Sequence, residues 1–312
     1  MIISASRRTD IPAFYSEWFV NRLKQQYLYV RNPFNANQIS KINLSPDVID
    51  CIVFWTKDPT KIIDKLNLIN ELGYKYYFQF TITSYDNTLE RNVPPKEYII
   101  NTFQSLSNLL GPEKIIWRYD PILLTNNYSI EYHKEYFECI AEKLSKFTHK
   151  CTISFIDLYK KCEVNLKGLI INEINSNQKR HLAYNLSKIA GKYNIIMESC
   201  AEALSLRNYG VSAGKCIDDQ LISKIIGCQL SVEKDKSQRH TCGCIASVDI
   251  GAYNTCKHGC RYCYANFDQK SVTRNFAKHD IRSPILLGNV SGKEKITERK
   301  MISLIQKQDL LF

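Results

Sequence analysis

The stretch IASVDIGAYNTCKHGCRYCYAN, residues 245–266, places Cys256, Cys260 and Cys263 at a C-x3-C-x2-C spacing, with Tyr262 just before the third. Thiolates favour soft or borderline metals. Three from one tight loop can hold three corners of a [4Fe-4S] cluster, leaving the fourth iron open to an external ligand, much as a catalytic zinc keeps an open position. Zinc is the competing reading. Zinc motifs more often pair two C-x2-C units, and only Cys260 and Cys263 make one. His258, inside the stretch, could be a ligand, but it reads rather as a loop residue. The position is the puzzle, since the cysteines follow IASVDI (245–250), a β-like run close to the end of a 312-residue chain.

Similar runs recur upstream: IISAS (2–6), DCIVFWT (50–56), KYYFQFTIT (75–83), KIIWRYD (114–120), CTISFID (151–157) and NIIMES (194–199), with YLYVRN (27–32) as a further candidate. Each is rich in β-branched and aromatic residues and too short for a helix. Helical patterns lie between them. Ile62, Ile63, Leu66, Ile69 and Leu72 share a face, as do Ile99, Phe103, Leu106 and Leu110. Ser129 is placed to cap a helix containing Phe137, Ile140 and Leu144, and Leu182, Leu186 and Ile189 form another stripe. Gly73, Gly111 and Gly191 fall where helix C-termini accept a left-handed residue. Repeated βα units imply a parallel sheet, and seven or eight of them imply an α/β, TIM-like (β/α) barrel, full or partial. An open doubly wound sheet is the alternative, weakened because no G-x-G-x-x-G follows any run.

Polar residues gather at the C-terminal ends of the runs, which in such a barrel surround the site. Candidate catalytic residues are Arg8, Asp10, Lys57, Arg118, Asp120, Asp157, Lys160 and Glu198, about half of them expected to be structural ion pairs. Gln79, Thr81 and Thr83 alternate on one face, and Gln79 and Thr81 are the candidate cofactor-binding residues. The chain holds 12 cysteines. Cys51, Cys139 and Cys151 read as core or helix residues, and Cys162 and Cys228 are isolated. Cys200, Cys216, Cys242 and Cys244 fall in loops at one end of the runs and could hold a second metal centre; the plain alternative is unrelated buried thiols. His240 is the nearest substitute ligand.

No charged leader precedes an apolar run, and no apolar run is long enough to span a bilayer. The expected location is the cytoplasm, where disulfides poorly explain the cysteines. A net charge of +11 keeps nucleic acid among the candidate partners, although the charge is spread along the chain as on a solvated surface. Residues 1–268 are expected to form the barrel, with the cluster loop at 246–268. The tail, 269–312, is expected to pack on it as a helix with Met301, Leu304 and Ile305 inward.

C-x3-C-x2-C with an aromatic before the last cysteine resembles the signature of radical S-adenosylmethionine (SAM) enzymes. The resemblance implies Cys256, Cys260 and Cys263 as ligands, SAM chelated on the open iron, and Tyr262 near its adenine. In that superfamily the motif follows the first barrel strand. If Ser247–Ile250 paired beside Ile2–Ala5, this chain would be a circular permutation of that barrel, which is cheap when chain ends lie close. More closely, SASRRTDIPAFY, RNPFN, FWTKDP, WRYDPI, SFIDLYKK, GKCIDD, QRHTCGC and DIGAYNTCKHGCRYCYAN resemble the prokaryotic family catalogued as domain of unknown function 1848, noted for a C-terminal cysteine cluster like that of radical SAM proteins. The implied protein carries one [4Fe-4S] cluster or two, takes electrons from a reducing donor, and starts radical chemistry on an unknown substrate; Arg7, Arg8, Lys57, Arg118 and Lys160 would face an anionic one. The alternatives are an electron-transfer or redox-sensing iron–sulfur protein without SAM, and a nucleic-acid-binding protein with structural metal.

Overall fold

Seven of the apolar runs and a short strand that the sequence had not marked, Ser212–Gly214, assemble into one eight-stranded sheet in the order Val248–Asp249, Ile2–Ala5, Cys51–Thr56, Tyr76–Thr81, Ile115–Ile122, Lys150–Phe155, Ile196–Cys200 and Ser212–Gly214. All neighbouring pairs are parallel. The computed structural model describes residues 1–158 and 160–306, without the side chains of Lys160 and Lys161. In chain order come β1 (Ile2–Ala5), α1 (Ile11–Phe14), α2 (Ser16–Gln25), β2 (Tyr27–Asn32), β3 (Asn35–Asn43), β4 (Cys51–Thr56), α3 (Thr60–Ile63) and α4 (Leu66–Glu71). Next are β5 (Tyr76–Thr81), α5 (Lys96–Leu110), β6 (Ile115–Ile122), α6 (Ile130–Leu144), β7 (Lys150–Phe155), α7 (Lys160–Asn165) and α8 (Ser176–Lys192). Last come β8 (Ile196–Cys200), β9 (Ser212–Gly214), α9 (Asp219–Ile226), β10 (Val248–Asp249), α10 (Gln269–Phe276) and β11 (Lys295–Glu298).

The period-2 alternation of strands sorts the side chains. Ile52, Phe54, Tyr76, Phe78, Ile115 and Trp117 face the helices and form the main core. There Phe54 stacks on Phe78 at 4.8 Å and Trp117 on Phe137 at 4.7 Å between ring centroids. The expected helical stripes on α5, α6 and α8 are buried against them. The intervening residues Ile2, Cys51, Val53, Tyr77 and Ile116 point to the other face, where Cys216, Ile217, Ile222, Cys244 and Ile245 cover them. Along that second face the residues turn polar toward the strand C-termini: Gln79, Thr81, Arg118 and Asp120. One face thus carries an apolar floor and a polar mouth.

The decisive pairing is β10 beside β1, with Ile3 opposite Val248 and Ser4 opposite Asp249. The last of the expected runs lies next to the first, and the cysteine loop leaves the sheet at its C-terminal edge.

Three expectations need correction. Tyr27–Asn32 is a strand but lies outside the main sheet; with β3 and β11 it forms a three-stranded sheet in the order β11-β3-β2. Its partner, NANQISKIN, is Asn-rich and half exposed, so propensity hid it. Helix α8 runs past Gly191, and Asn194, at φ 57°, takes the left-handed position instead. The tail is not a helix covering the barrel. Only α10 is helical there, β11 pairs with β3, and residues 299–306 are irregular. Met301 and Leu304 do pack on the two cores, while Ile305 is exposed. Among the described residues, no helix is long and apolar enough to cross a membrane.

Candidate functional site: a cysteine-lined cavity

A cavity of about 470 Å3 opens at the polar mouth. Cys256, Cys260 and Cys263 line it together with Cys200, Cys216, Cys242 and Cys244, so the two cysteine groups share one space. Arg8, Asp10, Lys57, Thr81, Arg118, Asp120, Asp157 and Tyr262 also line it. A larger cleft of about 740 Å3 beside α9 contains none of the expected site residues.

The loop carrying the first three cysteines is clamped from two sides. On one side Asp10, the N-cap of α1, sits 2.8 Å from His258 Nε2. Its carboxylate also accepts from Thr56 Oγ1 at 3.0 Å and the Lys57 backbone N–H at 2.7 Å. His258 therefore anchors the loop through Nε2. On the other side, the segment after β5 holds the loop backbone. The Asn92 N–H donates to His258 O at 2.9 Å, Asn92 Nδ2 to Lys257 O at 2.7 Å, and the Arg261 N–H to Leu89 O at 2.9 Å. Gly259 turns the loop at φ +67°, which any other residue would resist. Burial pushes the Cys260 thiol up to about 12 despite nearby Lys57, and burial also raises Cys256. Metal binding would displace those protons.

Sequence reasoning missed the group beneath this loop. Glu90 is 2% exposed and accepts from Lys57 Nζ at 2.7 Å, from Thr83 Oγ1 at 2.7 Å, and from Lys96 and the Tyr262 hydroxyl. Burial opposes its charge, but Lys57 and Lys96 outweigh burial and hold the carboxyl well below its usual range. Lys57 Nζ also lies 5.6 Å from the centre of the Tyr262 ring. Glu90 sits in a loop with no periodicity, so no local signal marked it. Asp249, at the end of β10, was also missed, although VDI ends like the other site strands. It accepts from Ser4 Oγ at 3.0 Å, Ser6 Oγ at 2.7 Å and the Arg7 N–H at 2.8 Å, tying the first loop of the chain to β10. Cys162, given no role from sequence, lines the cavity and bonds to the Tyr262 carbonyl at 3.2 Å.

The second cysteine group converges from three loops. The Cys216 thiol donates to Cys200 Sγ at 3.2 Å. Neighbouring Cys244 lowers the Cys242 thiol to about 7. Arg118, 4% exposed, places Nη1 2.9 Å from Cys216 Sγ and pairs with Asp120. Gln79 donates to Cys216 O at 2.8 Å, so it supports this loop and does not line the cavity.

The remaining expectations divide. Asp157 lines the rim in an ion pair with Arg239. Arg8 packs over Tyr253 at 5.2 Å. Glu198 does not line the cavity; its carboxylate pairs with Lys150 Nζ at 2.8 Å, an ion pair that braces β7 against β8. His240 is likewise absent from the lining. The Lys160 side chain lies outside the described residues. Among the described residues, no group of three or more His, Cys, Asp or Glu is arranged to hold a single metal ion. The donor set is instead of the type that suits a cluster, where each thiolate meets its own iron and the thiolates need not converge on one point.

The fold and site define an α/β protein whose parallel sheet carries a cysteine-rich, cation-flanked cavity at its C-terminal edge. The chain belongs to the family described as domain of unknown function (DUF1848), whose model matches residues 2–265. No curated protein matches it. No solved structure matches it.

Proposed function

We infer that this chain is an iron–sulfur enzyme of the radical SAM type, built on a circularly permuted (β/α) barrel. Cys256, Cys260 and Cys263 are the ligands of a [4Fe-4S] cluster whose fourth iron takes SAM. The observation that carries the reading is the juxtaposition of β10 with β1, which brings the C-x3-C-x2-C loop beside Arg7–Asp10 at the mouth of one cavity. The loop, encoded late in the chain, leaves the sheet at its C-terminal edge beside β1, which supports the permuted-barrel reading.

Cys256, Cys260 and Cys263 would hold the cluster, which would supply one-electron chemistry to a bound SAM. The protein's own part is positional. Asp10 and His258 fix the loop against β1 and β4. Glu90 fixes Lys57 and the Tyr262 hydroxyl under it. Trp55 and the Arg7 and Arg118 guanidiniums wall the cavity, and their positive charge suits an anionic group there.

Anaerobic reconstitution of the full chain with iron and sulfide tests this. Wild type should bind iron that is partly lost in the Cys256→Ala/Cys260→Ala/Cys263→Ala variant, and reduced wild type should release 5′-deoxyadenosine from SAM. Iron binding without SAM cleavage would move the protein to electron transfer or redox sensing. Zinc in place of iron would sink the cluster reading.

A further inference from the structure

We propose that Cys200, Cys216, Cys242 and Cys244 ligate a second [4Fe-4S] cluster, distinct from that of the C-x3-C-x2-C loop. The proposal stands independently of SAM chemistry. Cys200 ends β8, Cys216 follows β9, and Cys242 and Cys244 precede β10. No single element brings these residues together, yet all three loops converge on one space, with the Cys216 and Cys200 sulfurs 3.2 Å apart. All four face the cavity.

Their electrostatic setting is not that of ordinary core thiols. Arg118 Nη1 lies 2.9 Å from Cys216 Sγ. Arg7 and Arg118 both lie against the Trp55 indole, at 5.4 Å and 5.3 Å from the ring centroid. Arg7 Nη2 is buried and has no hydrogen-bond partner among the described residues. Asp120 partners Arg118, and Asp249, which accepts from the Arg7 N–H, is the carboxylate beside Arg7, but neither reaches Arg7 Nη2. A [4Fe-4S] core of charge 2+ on four thiolates carries a net 2−, which suits a site flanked by Arg7 and Arg118, although Asp120 already balances part of that positive charge. Assembly releases one proton per thiol, four in all, and leaves no ligand site open.

The alternatives fit less well. A structural zinc sits in a closed tetrahedral shell. These thiols instead border open space and are not arranged around a single ion. A Cys200–Cys216 disulfide would leave Cys242, Cys244 and Arg7 without a role.

The test reads metal content and spectra of the full chain after anaerobic reconstitution. Wild type should hold about eight irons and eight sulfides, and the Cys256→Ala/Cys260→Ala/Cys263→Ala variant about four of each with a cubane Mössbauer signature. That variant leaves the proposed ligands untouched. The Cys200→Ala/Cys216→Ala/Cys242→Ala/Cys244→Ala variant should also drop to about four irons. If one variant is insoluble, the other decides. Wild-type iron in the four-cysteine variant, or no iron or one zinc in the loop variant, overturns the proposal. Wild-type iron in the loop variant instead overturns the first cluster and leaves this one standing.

Discussion

His258 Nε2 lies 2.8 Å from Asp10 Oδ2, although the two residues are 248 positions apart in the chain. This bond joins the cysteine loop to the segment after β1. The same carboxylate caps α1 through the Ala13 N–H at 2.9 Å and receives Thr56 and Lys57 from the end of β4. One buried side chain thus fixes three neighbouring segments of the mouth.

Replacing Asp10 by Ala should therefore remove a helix cap and strand several buried donors. A lost cap costs about 1 kcal/mol and each unsatisfied buried group about 1–3 kcal/mol. The expected loss is about 3 kcal/mol by urea denaturation. Asp10→Asn, which keeps the acceptor oxygen, should lose less than half of that. Equal losses for both variants would mean that charge, not hydrogen bonding, holds the mouth.

Glu90 should be the most sensitive carboxylate. Glu90→Gln leaves the Lys57 and Lys96 ammonium groups without their buried anion. Breaking one side of such a network costs about 3–5 kcal/mol. The double variant Glu90→Gln/Lys57→Met should recover part of the loss, because it also removes one uncompensated charge. Additive losses in a double-mutant cycle would refute the coupling.

The eight runs, the helical stripes and the loop cysteines were legible because each is local: alternation, 3.6-residue spacing, and a fixed C-x3-C-x2-C interval. Glu90 was not legible because it acts through residues from four separate segments, Lys57, Thr83, Lys96 and Tyr262. Glu198 looked like a mouth carboxylate because it precedes a strand end, but its reach is set by Lys150 at the opposite end of β7. Side-chain direction along a strand follows from the sequence; which partner captures the side chain does not. Strand β3 escaped because its Asn residues are poor strand formers, and its pairing is supplied by β2 and β11.

Gly251 offers a probe of the loop that touches no cysteine. A methyl group there would fall within contact of Ser6 Oγ and Cβ, and 3.1 Å from Thr9 Cγ2. Ser6 cannot yield easily, because its hydroxyl is bonded to Asp249 at 2.7 Å and receives the Arg8 N–H at 2.9 Å. Gly251→Ala should cost about 1–3 kcal/mol through overpacking. It should also weaken iron retention at Cys256, Cys260 and Cys263 while leaving the Cys200 group unchanged. Iron release that is unaltered, or that falls equally from both groups, would contradict a local role.

His133 should impose an acid limit on stability that is separate from the cavity. It is fully buried, with Nδ1 2.7 Å from the Tyr119 hydroxyl and Nε2 2.9 Å from Leu123 O. Burial lowers its pKa from 6.5 to about 4, so the folded state holds it neutral where the unfolded chain would bind a proton. The unfolded state then binds more protons between these two values. By linkage, stability rises with pH across that window and is lost as pH falls from about 6.5 toward 4. The span corresponds to about 3 kcal/mol at one pKa unit per 1.36 kcal/mol. His133→Gln, which can retain a donor to Leu123 and an acceptor for Tyr119, should flatten that part of the curve. Denaturation midpoints of both proteins, taken from pH 4 to 7, give the comparison. A wild-type slope that survives the substitution unchanged would assign the acid sensitivity to the carboxylates instead, with Glu90 first among them.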